Sequence, residues 1–353
     1  MSASRQFGLA SALRAIPSIP AGWALLCSER ELRRGPIVRQ VLGQRLVVFR
    51  TATGRIGVLD SRCAHLGADL ARGRVAGETL VCPYHSWSYR PDGTCERVPA
   101  EPAAACDVRQ LSYPAEARHG FVYYFHAPRA LYPLPFFDAV DPDQYVCSTP
   151  IEIVLECPWY MVGVNAFDFQ HLHAVHERRL LESPRVDSPT PWSRAATTRC
   201  AVGSSTWYDC AMRAFAGPDA EMTAASWAGS LIFVRVRFAR MTTYGMVSVR
   251  PLGENSTVTH ILAYAPRSKS MALDAARLRV RRFFIGEFVR ADASRLDGLR
   301  AGSLHTIDAD RELRAYLLWL ARASNGLQAD SFTMRTRELV ASASGTRTWN
   351  PEP

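Results

Sequence analysis

The chain of 353 residues is 48% hydrophobic and 21% charged, which excludes a disordered or fibrous protein and leaves room for two buried cores. Its formal net charge of +9 comes from 42 basic against 33 acidic residues, and Lys269 is the only lysine. The arginines are spread from Arg5 to Arg347 with no run longer than two, so the charge reads as arginine-rich composition and not as a nucleic-acid-binding face. Nine cysteines, an odd number, do not make a disulfide framework in a chain of this size. The N-terminal apolar stretch is broken by Arg14, Pro17 and Pro20, and no uncharged run approaches the ~20 residues of a membrane span. The expectation is a soluble, reduced, cytoplasmic protein in which clustered Cys and His are metal ligands.

From Ile37 to Val58 the chain predicts short strands, IVRQVL, QRLVVFR and RIGVLD, with a turn at Ala52 to Gly54; GFVYYFHA at 120–127 is a further strand. These define an all-β unit over 20–127. Five prolines between Pro128 and Pro150 predict an interdomain linker over 128–150. The second unit, 151–353, opens on a strand and passes into the His-rich segment 164–179. Alternating runs follow at 230–238 and 242–250, the latter joined through PLGEN to STVTHILAYAP as a hairpin. Apolar residues from Leu273 to Phe288 predict an amphipathic helix from Met271 to about Arg290, and RELRAYLLWLARA predicts another after Asp310. The second unit is therefore an antiparallel sheet with packed helices, making the chain α+β.

Two groups carry chemistry. In SRCAHLGADLARGRVAGETLVCPYHSWSY, Cys63 and His65 are followed after sixteen residues by Cys82 and His85. Two thiolates and two imidazoles suit one tetrahedral zinc or a two-iron, two-sulfur cluster. A zinc finger places its His pair after both Cys. Here each short motif holds one of each, so two loops can each give a sulfur to one iron and a nitrogen to the other. The segment resembles the Rieske motif, and YRPDGTCERVPA at 89–100 is similar to its continuation; the likeness covers about residues 21 to 127. Cys95 and Cys106 fall outside the spacing and read as small buried hydrophobes.

The second group is VNAFDFQHLHAVHERR. A mononuclear iron that activates O₂ uses two imidazoles and one carboxylate on one face. The run resembles the N-x-x-D-x-x-H-x4-H segment of the Rieske non-haem iron oxygenases, which implies His171 and His176 as ligands, with Asn165 and Asp168 in supporting catalytic roles. Five residues is about 500° of helix, so these two converge only where the helix ends or distorts between them. The rival pairing is His173 with His176. Asp168, one turn before His171, is placed to accept the proton of its other ring nitrogen. The resemblance also implies that Asp168 bridges to a cluster histidine of a neighbouring subunit. Val164 stands where the family often has a glutamate. For the third ligand the family layout favours Asp292, at a helix end, with Asp308 and Asp310 as alternatives; Asp310 also suits the N-terminus of the last helix.

The resemblance implies an N-terminal Rieske domain and a helix-grip catalytic domain in a terminal oxygenase component. It further implies a 2Fe-2S cluster, mononuclear Fe(II), O₂ as co-substrate, and NAD(P)H used through a separate ferredoxin or flavin reductase, since no nicotinamide or flavin fingerprint is present. A homotrimer is expected, each cluster serving the next subunit's iron. Family members that hydroxylate ketosteroids or oxidise aryl amines are nearest in motif. They point to monooxygenation of a small organic ring, with amine N-oxygenation and cis-dihydroxylation as alternatives. A Rieske electron-transfer protein without its own oxygenase chemistry is the rival class.

Overall fold

The computed structural model describes residues 9, 11–103, 108–203, 205–300 and 305–323. Three small antiparallel sheets build the N-terminal part. Strands β1 (Trp23–Ser28), β2 (Ile37–Val41), β3 (Gln44–Arg50) and β4 (Ile56–Asp60) are followed by β5 (Arg74–Ala76), β6 (Thr79–Val81), β7 (Ser88–Tyr89) and β8 (Cys95–Arg97). Then come β9 (Ser112–Tyr113), β10 (Ala115–Arg118) and β11 (Phe121–Phe125). Their sheet orders are β1-β11-β10, β2-β3-β4-β9 and β5-β6-β7-β8. The β10–β11 turn carries His119 and Gly120 at φ 53° and 81°, the left-handed pair of a two-residue hairpin loop. Alternation in β3 and β4 sends Leu46, Val48 and Val58 into one core and Val47, Phe49 and Leu59 into another, the latter lying under Cys63 and Cys82.

The segment expected as a linker packs instead. Tyr132, Leu134 and Phe137 join Trp23, Leu25, Phe125, Phe233 and Tyr264 in one core. The Trp23 indole N–H donates to the Tyr132 carbonyl at 2.9 Å, and Arg118 donates to the carbonyls of Leu134 and Pro135. Prolines withhold donors from this stretch, but its aromatic side chains bury enough apolar surface to fix it between the two halves.

The C-terminal half is a nine-stranded antiparallel sheet with helices on it. It uses β12 (Tyr145–Cys147), β13 (Ile151–Leu155), β14 (Arg179–Leu180), β15 (Arg185–Thr190), β16 (Ser193–Ala201), β17 (Asp219–Trp227), β18 (Leu231–Phe238), β19 (Thr242–Gly253) and β20 (Ser256–Pro266). The order is β12-β20-β19-β18-β17-β16-β14, with β13 on β20 and β15 on β16. The β19–β20 hairpin forms as the sequence predicts, Gly253 facing Ser256. Four helices are α1 (Trp159–Val164), α2 (Phe169–Ala174), α3 (Trp207–Phe215) and α4 (Met271–Leu296), and a fifth, α5, runs over 311–323. Helix α4 extends past Arg290 because nothing in ADASRL breaks it before Gly298, which takes φ 84°. Asp292 consequently lies inside the helix, in its last turns, and not beyond its end. Tyr316, Leu317 and Leu320 of α5 pack against Phe167 and Trp159, seating the His-rich segment on the core. No helix among the described residues is long and apolar enough to cross a membrane.

Candidate redox and metal centres

Cys63 and Cys82 head two loops of the same design. In each, the cysteine N–H donates to the carbonyl five residues on (Ala68, 2.9 Å; Trp87, 2.7 Å), and its carbonyl accepts from the N–H four residues on (Gly67, 2.8 Å; Ser86, 3.2 Å). The fourth position takes left-handed geometry in both, Gly67 at φ 74° and Ser86 at φ 60°, the second at a cost of about 1 kcal/mol for its Cβ. Both thiols are buried and both imidazoles are exposed. His65 Nδ1 and His85 Nδ1 approach to 3.1 Å, while the His65 ring stacks on Trp87 at 4.4 Å. Two lone-pair nitrogens turned toward one point fit a shared metal, and the ring edges left outside are open to a partner. Burial raises the Cys63 thiol pKa, and the Tyr89 hydroxyl 3.1 Å from its sulfur opposes that rise. Cys95 is buried in the same core, as expected of a small hydrophobe; Cys106 lies outside the described residues.

The second centre forms where α2 stops. Asp168 caps the helix, its carboxylate accepting from Gln170 N–H at 3.0 Å, and α2 ends at Ala174. Glu177 at φ 52° turns the chain. The helix is thus over before His176, and the rings of His171 and His176 come to 5.6 Å. Asp292 meets them from α4, with its Oδ1 2.6 Å from His176 Nε2. One ligand atom from each of His171, His176 and Asp292 lies within 4.8 Å of the others, the only such group among the described residues. A tetrahedral zinc would gather Cys63, His65, Cys82 and His85 equally closely.

Asp168 does not serve His171 with its side chain, as the sequence suggests. Its main-chain carbonyl accepts from His171 Nδ1, because the carboxylate is engaged at the helix cap. Nε2 of His171 is left to face His176 and Asp292. Burial lowers the His171 pKa, favouring the neutral imidazole a metal requires. His173 is exposed and apart from the group. Asp310 is also elsewhere: Oδ1 accepts from Gln170 Nε2 and Oδ2 from Ile307 N–H at 2.8 Å. Asp308 is exposed in the same short 3₁₀ turn.

Three residues support the centre in roles that the sequence reading does not give them. Phe288, one turn before Asp292, stacks on His176 at 3.6 Å and 8°. Arg178 donates to the His176 carbonyl at 3.0 Å and to buried Asp209 of α3 at 2.6 Å. The spacing Thr206-x-x-Asp209 is a helix-start signal that marks α3: Thr206 Oγ1 accepts from Asp209 N–H at 3.1 Å and donates to its carboxylate at 2.7 Å. Beside the centre, a cavity of about 530 Å³ runs between the sheet and helices α3 and α4. Its walls are almost all apolar, and Asn165, His171 and Asp292 lie on its lining.

Residues 22–113 match the family described as Rieske [2Fe-2S] domain. This segment is a Rieske domain. The chain is 34% identical over 174 residues to the oxygenase subunit of tert-butanol monooxygenase / tert-amyl alcohol desaturase of Aquincola tertiaricarbonis, covering 46% of this chain and 37% of that one. It is 30% identical over 175 residues to aminopyrrolnitrin oxygenase PrnD of Pseudomonas fluorescens, covering 45% and 46%. The alignments thus span less than half of these curated relatives. The Rieske domain and the antiparallel sheet behind it share the fold of dicamba monooxygenase bound to dicamba, with a TM-score of 0.65 at 17% identity over 88% of this chain and 98% of that one.

Proposed function

We propose that this chain is the terminal oxygenase component of a multicomponent system, with its cluster domain over 20–127 and its catalytic domain over 151–353. The observation that carries this reading is the convergence of His171, His176 and Asp292 on the wall of an apolar cavity, in a chain that also carries a Rieske domain. Cys63, Cys82, His65 and His85 would hold a 2Fe-2S cluster, and His171, His176 and Asp292 a mononuclear Fe(II). When bound, the cluster supplies single electrons and the iron activates O₂.

The chain's own residues do the rest. The cavity wall takes up an apolar substrate, excludes water and presents it beside the three ligands. Phe288 and Arg178 fix His176, and the Asp168 carbonyl fixes the tautomer of His171. The carboxylate of Asp168 lies next to the His171 side and is the bridge toward a partner subunit's cluster in a homotrimer. A ferredoxin or flavin reductase feeds the exposed histidine edges, drawing on NAD(P)H, and cysteines that form no disulfide among the described residues suit a reducing cytoplasm. Monooxygenation, the activity in the name of the tert-butanol monooxygenase subunit, is favoured over N-oxygenation of an aryl amine and over cis-dihydroxylation; the cavity's apolar wall favours an enzyme over a bare electron carrier.

Iron and acid-labile sulfide analysis of the purified protein, with a visible spectrum before and after dithionite, tests the proposal. One iron beyond the 2Fe-2S complement and a bleachable spectrum support it. A colourless protein, or no iron beyond the cluster, refutes it.

A further inference from the structure

Three charged side chains line the cavity: Arg178, Arg281 and Asp292. Arg178 is neutralised by Asp209 at 2.6 Å, and Asp292 faces the two histidines. Arg281 has no acidic partner among the described residues. One of its terminal nitrogens donates to the Thr242 carbonyl at a long 3.4 Å, and its Nε is buried without a partner. A guanidinium carries five donors and keeps its charge, so a buried donor left unmatched here costs about 1–3 kcal/mol unless something in the cavity accepts from it. Burial and the like charge of Arg277 both lower its pKa, and only the Tyr145 phenol opposes them. The one carboxylate on the lining, Asp292, is eleven residues further along α4 and faces the two histidines, so no acceptor of opposite sign lies beside Arg281 on the cavity wall.

Its position gives the group a role. Arg281, Ile285, Phe288 and Asp292 follow at steps of four, three and four residues on α4, one face of the helix, and all four line the cavity. Eleven residues of helix separate the charged ends by about 16 Å along the axis. The cavity therefore has a metal-ligand end at Asp292, an apolar middle at Phe288 and Ile285, and a cationic end at Arg281.

We propose that Arg281 is a substrate-binding residue, and that the substrate is an elongated apolar molecule carrying a carboxylate at the end remote from the oxidised carbon. The carboxylate accepts from the guanidinium, which orients the molecule with its hydrocarbon end toward His171, His176 and Asp292. Calling the ligand a substrate rests on the oxygenase reading; the binding site itself does not.

Calorimetry on the iron-loaded protein, with dodecanoate and dodecan-1-ol as probes, tests this. Dodecanoate is expected to bind more tightly than the alcohol. Arg281→Met is expected to weaken dodecanoate by about 10- to 100-fold, the worth of a charge-assisted pair, while leaving the alcohol within about twofold. Arg281→Lys, which keeps the charge, is expected to retain most of the preference. Equal loss for both probes in Arg281→Met, or no loss of dodecanoate, overturns the proposal, the latter because the carboxylate would then sit elsewhere, the iron included. Binding is read without turnover. Dodecanoate held through Arg281 by a protein that consumes no O₂ would refute the oxygenase reading and leave this site standing.

Discussion

The Tyr89 hydroxyl lies 3.1 Å from Cys63 Sγ, both buried beneath the paired histidine loops. A hydroxyl that donates to a cluster sulfur stabilises the more negative, reduced state. Tyr89→Phe removes one such bond, worth about 1 kcal/mol, and should lower the cluster's one-electron potential by about 50 mV. A redox titration followed in the visible checks this, and an unchanged potential contradicts it.

Asp168→Asn should leave α2 intact, because Asn caps a helix as well as Asp does. Iron and sulfide contents should equal those of the wild type. If the carboxylate bridges cluster and iron between subunits, oxygen consumption should fall by about two orders of magnitude or more, the size of effect expected when a positioned charged group is lost from the path. Wild-type turnover in this variant would remove the bridging role.

Arg178 and Asp209 form a buried pair at 2.6 Å that ties α3 to the His176 carbonyl. Asp209→Ala leaves an unpaired buried guanidinium and should cost about 3–5 kcal/mol in a denaturation experiment. It should also weaken retention of the mononuclear iron, because the His176 backbone loses its support. Loss of less than about 1 kcal/mol would mean the arginine finds water or another partner.

His260 is held below its ordinary pKa, first by burial and then by Arg250, against the pull of Glu152 at 3.2 Å. The unfolded chain then binds this proton more readily than the folded one, so stability rises with pH across the window below about 6.5. Above that value both states are neutral and the contribution is complete; as pH falls it is progressively lost, and below the folded pKa it is flat. His260→Gln should therefore show a smaller drop in Tm between pH 7 and pH 5 than the wild type. Some drop should remain, since burial also lowers His119. Parallel pH profiles would exclude His260 as a contributor.

Much of this was legible in the sequence where ligands sit close together along the chain. Cys63 and His65, and Cys82 and His85, share short loops whose fourth positions are Gly67 and Ser86, so their spacing alone carries the geometry. His171 and His176 were legible only through the family resemblance, since a regular helix favours His173 with His176; the pair converges because α2 stops at Ala174. Asp292 was harder, because its meeting with His176 depends on the packing of α4 across the sheet. The partner of His171 Nδ1 was not legible, because the Asp168 carboxylate that caps α2 is taken up there and its main-chain carbonyl serves the imidazole instead. The proline-rich stretch 128–150 reads as a spacer from its backbone chemistry, yet Tyr132, Leu134 and Phe137 decide its place by burial. Arg281 gives no local signal at all; only the cavity shows that its charge is unmatched.

The most direct measurement is the iron and sulfide content per chain of the wild type, Asp292→Ala and Asp310→Ala, prepared side by side. The expected result is a 2Fe-2S complement with one further iron in the wild type and in Asp310→Ala, and the 2Fe-2S complement alone in Asp292→Ala, with an unchanged visible spectrum. If Asp292→Ala keeps the further iron while Asp310→Ala loses it, the metal is not held by His171, His176 and Asp292, and the assignment of this centre is wrong.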